Sequence, residues 1–198
     1  MSDPSMAAIA AEAATCTRCR LAEGRTQVVF GMGNPEADLL FVGEGPGADE
    51  DAAGLPFVGR SGKLLDRMMA EEMGLTRADC YIANMVKCRP PGNRDPRPDE
   101  MATCRPWLDA QLAHLDPTVV VTLGNVATRT LLGRREGITQ LRGRAYSWQG
   151  RVVIPTYHPS AALRGTVGAL AGMRADLVRA KQALAGVTPA SVAHQGAP

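Results

Sequence analysis

The stretch LLFVGEGPGADEDAAGLPFVG, residues 39–59, decides how the rest of the chain is read. Leu39-Leu40-Phe41-Val42 is an uninterrupted apolar run, as expected of a buried strand, and it stops abruptly at a glycine-rich turn. The turn carries Glu44, Asp49, Glu50 and Asp51, so carboxylates arrive at one end of a sheet. Gly43, Gly45 and Gly47 bring bare backbone N–H groups to the same place, and Phe57 adds a single aromatic ring beyond them. Backbone donors, acids and one flat ring suit a small, planar, polar ligand. A diphosphate would be repelled by the acids.

Outward from this stretch, strand and helix signals alternate. Residues 28–36 read as a short strand and then a turn at Gly31, Gly33, Asn34 and Pro35. Ser61 is expected to cap a helix from about Gly62 to Met73, with Leu64, Leu65, Met68 and Met69 at helical spacing and Gly74 as its stop. Residues 80–86 form the next strand, followed by a proline-rich loop from Cys88 to Pro96. Pro98 opens a helix to about Leu115, in which Pro106 predicts a kink. Thr118 to Leu123 is a β-branched strand, and Gly124-Asn125 starts a helix ending at Gly133. A hairpin of residues 145–148 and 152–157 delivers His158-Pro159-Ser160, and a last helix covers roughly Val167 to Leu184. This alternation predicts an α/β fold with a mainly parallel sheet. Glu44, Asn84, Gly124 and His158 fall at or near the C-terminal ends of four predicted strands, the edge at which open parallel sheets bind ligands.

The 198 residues, 45% of them hydrophobic, fit one domain, taken as 1–185, with a tail at 186–198 expected to be disordered. A net charge of +2 does not announce a nucleic-acid partner. The first residues lack a basic segment, and no apolar run approaches the roughly 18 residues of a membrane span, so a cytoplasmic protein is expected. In a reducing compartment the five cysteines read as metal ligands before disulfides. Cys16 and Cys19, in a C-x-x-C pair after the alanine-rich helical segment Ala7 to Ala14, combine with Cys88 and Cys104 to offer four thiolates, while Cys80 lies inside a strand. Such a set suits tetrahedral zinc or an iron–sulfur cluster, in a structural role, and spacing does not separate the two.

The combination GEGPGADED (43–51), LPFVG (55–59), YIANMVKCRPPGNR (81–94) and HPSAALR (158–164), with the four ordered cysteines, resembles the family 4 uracil-DNA glycosylases. The resemblance runs from about Cys16 to Arg164. It implies a three-layer α/β/α sandwich around a four-stranded parallel sheet and a [4Fe–4S] cluster on Cys16, Cys19, Cys88 and Cys104. It also implies a monofunctional DNA N-glycosylase that removes uracil from single- or double-stranded DNA to initiate base excision repair. A monomer is expected.

On these residues the resemblance assigns Phe57 to stack on a flipped uracil and Asn84 to accept from N3–H and donate to O4, assisted by Gly43 and Gly45. His158 would donate to O2, and Glu44 and Glu50 would stabilise the cationic sugar and orient water. Family 1 relatives carry a catalytic aspartate where this chain has Gly45, so the neighbouring carboxylates carry that role. Ser160, Arg89, Arg94 and Arg164 are phosphate partners in this reading. Relatives place a leucine wedge four residues after the histidine; here that residue is Ala162, and Leu163 takes the role. Two alternatives share these features. One is a glycosylase-like protein that traps uracil-DNA covalently through a histidine, and no histidine occurs between Asn84 and Cys104. The other is a non-catalytic nucleic-acid-binding module with a structural metal cluster.

Overall fold

The computed structural model describes residues 5–186 and 192–193. Its strands, in chain order, are β1 (Met32–Gly33), β2 (Leu39–Gly43), β3 (Tyr81–Asn84), β4 (Val119–Leu123), β5 (Ala145–Trp148), β6 (Arg151–Thr156) and β7 (Val192–Ala193). They lie side by side as β1-β3-β2-β4-β6-β5-β7. The four central strands β3, β2, β4 and β6 are all parallel, as expected. The sheet is nevertheless wider than four strands: six form between residues 32 and 156, and β7 makes a seventh. β1 and β5 close the parallel core by antiparallel pairing, and β7 pairs with β5. Apart from Gly186 and β7, the expected tail lies outside the described residues. The strand expected from Val28 does not form there: the two-residue β1 lies at Met32–Gly33, within the segment expected to turn, and Gly31 and Gly33 stand at φ 157 and 127. A side chain on Gly33 would also sit 2.1 Å from the Cys80 carbonyl oxygen.

Alternation along the strands divides the core into two layers. Leu40, Val42, Ala83 and Val120 face one side, against Ile9 of α1 (Met6–Ala14), Leu108 and Leu112 of α4 (Pro98–Leu115) and Leu131 of α5 (Asn125–Leu132). Leu39, Phe41, Ile82 and Val121 face the other, against Leu65 and Met68 of α3 (Arg60–Met68) and Met173 and Leu177 of α8 (Ala169–Leu184). The result is the three-layer α/β/α sandwich. No helix among the described residues is long and apolar enough to cross a membrane.

Several elements differ from expectation. The acidic turn folds into a short helix, α2 (Ala48–Ala53), because acids suit a helix N-terminus. There Glu50 accepts from the Gly47 N–H at 3.1 Å, and buried Asp51 accepts from the Thr26 N–H at 2.9 Å. α3 starts after Gly59 rather than at a Ser61 cap and passes into a π turn, Met69–Met73, before Gly74 stops it in the left-handed conformation. α4 spans Pro98–Leu115 as expected, with Pro106 inside it. Two short helices, α6 (Ile138–Leu141) and α7 (Pro159–Leu163), occupy segments to which the sequence reading assigned no element.

The proline-rich loop is tied to α4 by buried Glu100. It accepts from Arg94 at 2.8 and 2.7 Å and from the Arg97 N–H at 2.8 Å. These bonds, Arg94 first, hold the Glu100 carboxyl at about 2, below its ordinary 4.5. A depressed carboxylate adds stability that is complete above its unfolded value and is lost as the pH falls through the folded one. Glu100→Gln is therefore expected to lower the melting temperature at neutral pH and to lose less stability than wild type between pH 4.5 and about 2. Calorimetry across that range checks both.

Candidate active site

The parallel strands stop at a common edge, and a cleft of about 490 Å³ opens there. Cavities of roughly 300–1,000 Å³ are typical of small-ligand sites. Glu44 follows β2, Asn84 ends β3, Asn125 follows β4, and Tyr157 and His158 follow β6; all line the cleft together with Phe57. Four separate segments thus converge as expected.

Register explains the tightest part. Gly43 of β2 is paired with Asn84 of β3. A side chain on Gly43 would come within 2.4 Å of Asn84 Oδ1 and 2.7 Å of the Phe57 ring, so the glycine lets amide and ring share the cleft floor. Asn84 is 1% exposed, and its Oδ1 is a buried acceptor without a hydrogen-bond partner. Buried polar atoms are nearly always paired, so this oxygen asks for a donor. Phe57 is buried, stands at φ 53, and holds its ring 5.8 Å from the His158 ring. Gly45 belongs to the same close packing: a side chain there would meet Val86 at 2.7 Å.

His158 caps α7. Its Nδ1 accepts from the Ser160 N–H at 3.1 Å and lies 2.8 Å from the Ser160 hydroxyl. A backbone N–H can only donate, so the proton of the neutral ring resides on Nε2. Burial, with Arg164 adding to it, pushes His158 down to about 4, so the ring is neutral near pH 7. Glu44 moves the other way: burial, then the nearby Asp95 charge, raises it to about 7.

Glu50 also lines the cleft, but its carboxylate is occupied. It accepts from Gly47, Val58 and Gly59 N–H groups at 3.1, 3.0 and 2.9 Å, bracing the turn. The two acids paired by sequence reasoning are thus physically different.

A family profile described as the uracil DNA glycosylase superfamily matches residues 30–182. The chain belongs to this superfamily. It is 45% identical over 167 residues to the type-4 uracil-DNA glycosylase of Sulfurisphaera tokodaii, covering 80% of this chain and 76% of that protein. It is 49% identical over 151 residues to the type-4 uracil-DNA glycosylase of Thermotoga maritima, covering 75% and 78% respectively. A type-5 uracil-DNA glycosylase of Thermus thermophilus is 32% identical over 151 residues, covering 67% and 68%.

Around this superfamily cleft the expected phosphate partners divide. Ser160 and Arg164 line it; Arg94 does too, yet its guanidinium is engaged by Glu100. Arg89 and Leu163 lie outside the lining; Arg89 donates to Asn93 Oδ1 at 2.7 Å, and Leu163 is 40% exposed on α7. Sequence reasoning missed Asn93, Asp95, Asn125 and Tyr157 as lining residues. Asn125 had a signal, since it is the second residue after a strand end.

Cys16, Cys19, Cys88 and Cys104 line one small pocket between α1, α4 and the loop after β3. The Lys87 N–H donates to Cys104 Sγ at 3.3 Å, and Arg25 Nη1 donates to Cys88 Sγ at 3.5 Å and to the Cys16 carbonyl at 2.6 Å. Among the described residues no three His, Cys, Asp or Glu side chains form a ready-made metal-holding group. Convergence of four thiols, with N–H donors to two sulfurs, nonetheless fits a thiolate-bound centre, while Cys80 stands apart beside Met69. Buried Lys87 joins pocket and cleft: its Nζ donates to the Asn84 carbonyl at 2.9 Å and to Gln111 Oε1 at 2.5 Å.

Proposed function

We propose that the chain is a uracil-DNA glycosylase of the type-4 kind, hydrolysing the bond between uracil and deoxyribose in DNA. The observation that carries this reading is the orphan Asn84 Oδ1, buried in the cleft that the Phe57 ring also lines. Uracil N3–H supplies the missing donor, and the Asn84 amide donates to O4. Cytosine reverses the hydrogen-bonding sense at both positions and leaves buried groups unpaired. The base must leave the duplex stack to reach this depth, with Phe57 against its face.

Cleavage places negative charge on uracil O2 and positive charge on the sugar. The neutral His158 ring donates from Nε2 to O2, together with backbone N–H groups at the start of the glycine-rich turn, Glu44 and Gly45. Being neutral already, the ring keeps its proton through the reaction. Glu44 orients and deprotonates water and faces the cationic sugar, whereas Glu50 acts by holding the turn. Ser160 and Arg164 meet the DNA backbone, and exposed Leu163 fills the space vacated by the flipped nucleotide. Cytoplasmic location and a monomeric state belong to the same proposal.

The four cysteines would hold a [4Fe–4S] cluster. When bound, that group supplies a structural crosslink between the N-terminal segment, the proline-rich loop and α4. The chain's own residues carry the chemistry.

The direct test incubates the protein with oligonucleotides bearing one uracil, single- and double-stranded, and cleaves abasic sites with alkali. Strand cleavage is expected, and Asn84→Asp should lower it at least about tenfold, since a carboxylate cannot donate to O4. No cleavage of either substrate by wild type would overturn the function. The pH profile tests Glu44: its working form is the carboxylate, so kcat/KM should rise as pH increases through about 7. Glu44→Gln should flatten that rise and cost about 10²–10⁴-fold, whereas Glu50→Gln should retain the rise. His158 titrates near 4 and leaves this window untouched. Anaerobically purified protein should be brown, with four irons bound; colourless protein with stoichiometric zinc would refute the cluster.

A further inference from the structure

Phe57 stands at φ 53, a left-handed conformation that non-glycine residues hold only when their surroundings impose it. Two groups impose it from opposite sides. Glu50 Oε1 accepts from the Val58 and Gly59 N–H groups at 3.0 and 2.9 Å. Arg77, on the 3₁₀ turn Arg77–Asp79 before β3, donates from Nη2 to the Phe57 carbonyl and from Nη1 to the Pro56 carbonyl at 2.9 Å. The peptide between Phe57 and Val58 is therefore gripped at both its C=O and its N–H.

Arg77 is itself aimed. Its Nε and Nη2 reach the two carboxylate oxygens of Asp66 on α3 at 2.7 and 3.1 Å, a forked pairing that fixes the guanidinium plane. Gly62, one turn earlier on α3, completes the seat, since a side chain there would stand 1.6 Å from the Phe57 carbonyl oxygen. The Arg77 side chain is only 20% exposed and does not line the cleft.

We propose that Arg77, oriented by Asp66, is a positioning residue that sets the Phe57 ring for the base. It touches no substrate and acts only through Phe57. The assignment rests on the stacking role given to Phe57 above. Lysine cannot substitute, because one ammonium cannot keep the fork on Asp66 while reaching two carbonyl oxygens.

The test measures inhibition by free uracil, and kcat and KM on a single-uracil oligonucleotide, for wild type, Arg77→Met, Arg77→Lys, Phe57→Ala and the Arg77→Met/Phe57→Ala double variant. Melting curves select folded samples, and Asp66→Asn gives a milder lesion in the same clamp. Arg77→Met is expected to weaken uracil inhibition about tenfold and to raise KM more than it lowers kcat. Arg77→Lys should fail to restore either, and Asp66→Asn should shift both in the same direction by less. In the Phe57→Ala background the Arg77 change should have no further effect, because residues acting through one another are non-additive. An unaltered inhibition constant in folded Arg77→Met, or additive losses in the double variant, overturns the assignment. Wild type insensitive to uracil overturns the stacking reading and the clamp with it. Inhibited wild type beside an indifferent Arg77→Met overturns the clamp alone.

Discussion

The register between β2 and β3 is the constraint on which the cleft depends. It sets Gly43 opposite Asn84, and the missing side chain at 43 is what lets the Asn84 amide and the Phe57 ring share the cleft floor. A slip of one residue would turn Asn84 to the other face of the sheet and place a side chain where the ring now lies. The register is held because β2 is central: it pairs with β3 on one edge and β4 on the other, and every one of its residues is buried. The hydrophobic run that builds the core therefore also aligns the polar groups at its end.

Burial then differentiates those groups. His158 loses charge and Glu44 gains a proton affinity suited to neutral pH, while Glu50 is anchored by three backbone N–H groups. Two carboxylates six positions apart on one loop thereby acquire separate duties: one faces the cleft with an adjustable proton, and the other keeps the loop in shape. The same division recurs with the arginines, where Arg164 borders the cleft and Arg94 is committed to Glu100.

Much of this was legible in the chain. The run at 39–42, the four strand ends and the cysteine spacing each rest on local pattern, and the structure gathers Glu44, Phe57, Asn84 and His158 in one cleft and the four cysteines in one pocket. What escaped notice depends on long-range contact. The left-handed backbone of Phe57 is imposed by Arg77, twenty residues away, and no local signal announces it. The structural duty of Asp51 within the acidic turn has no local signal either, because its partners, the Thr26 and Gln27 N–H groups, lie on a distant segment. The sheet's edges were underestimated for a similar reason. A two-residue strand such as β1 has no periodicity, and pairing with β3 alone defines it.

The separation of four residues between Asn84 and Cys88 has a mechanical meaning. Even fully extended, such a segment spans about 14 Å, and Lys87 shortens the connection further by bonding the Asn84 carbonyl from within it. The sulfur pocket and the Asn84 amide therefore share a foundation. A chemical injury to the thiols has little slack in which to dissipate before it reaches the residue proposed to distinguish one pyrimidine from another.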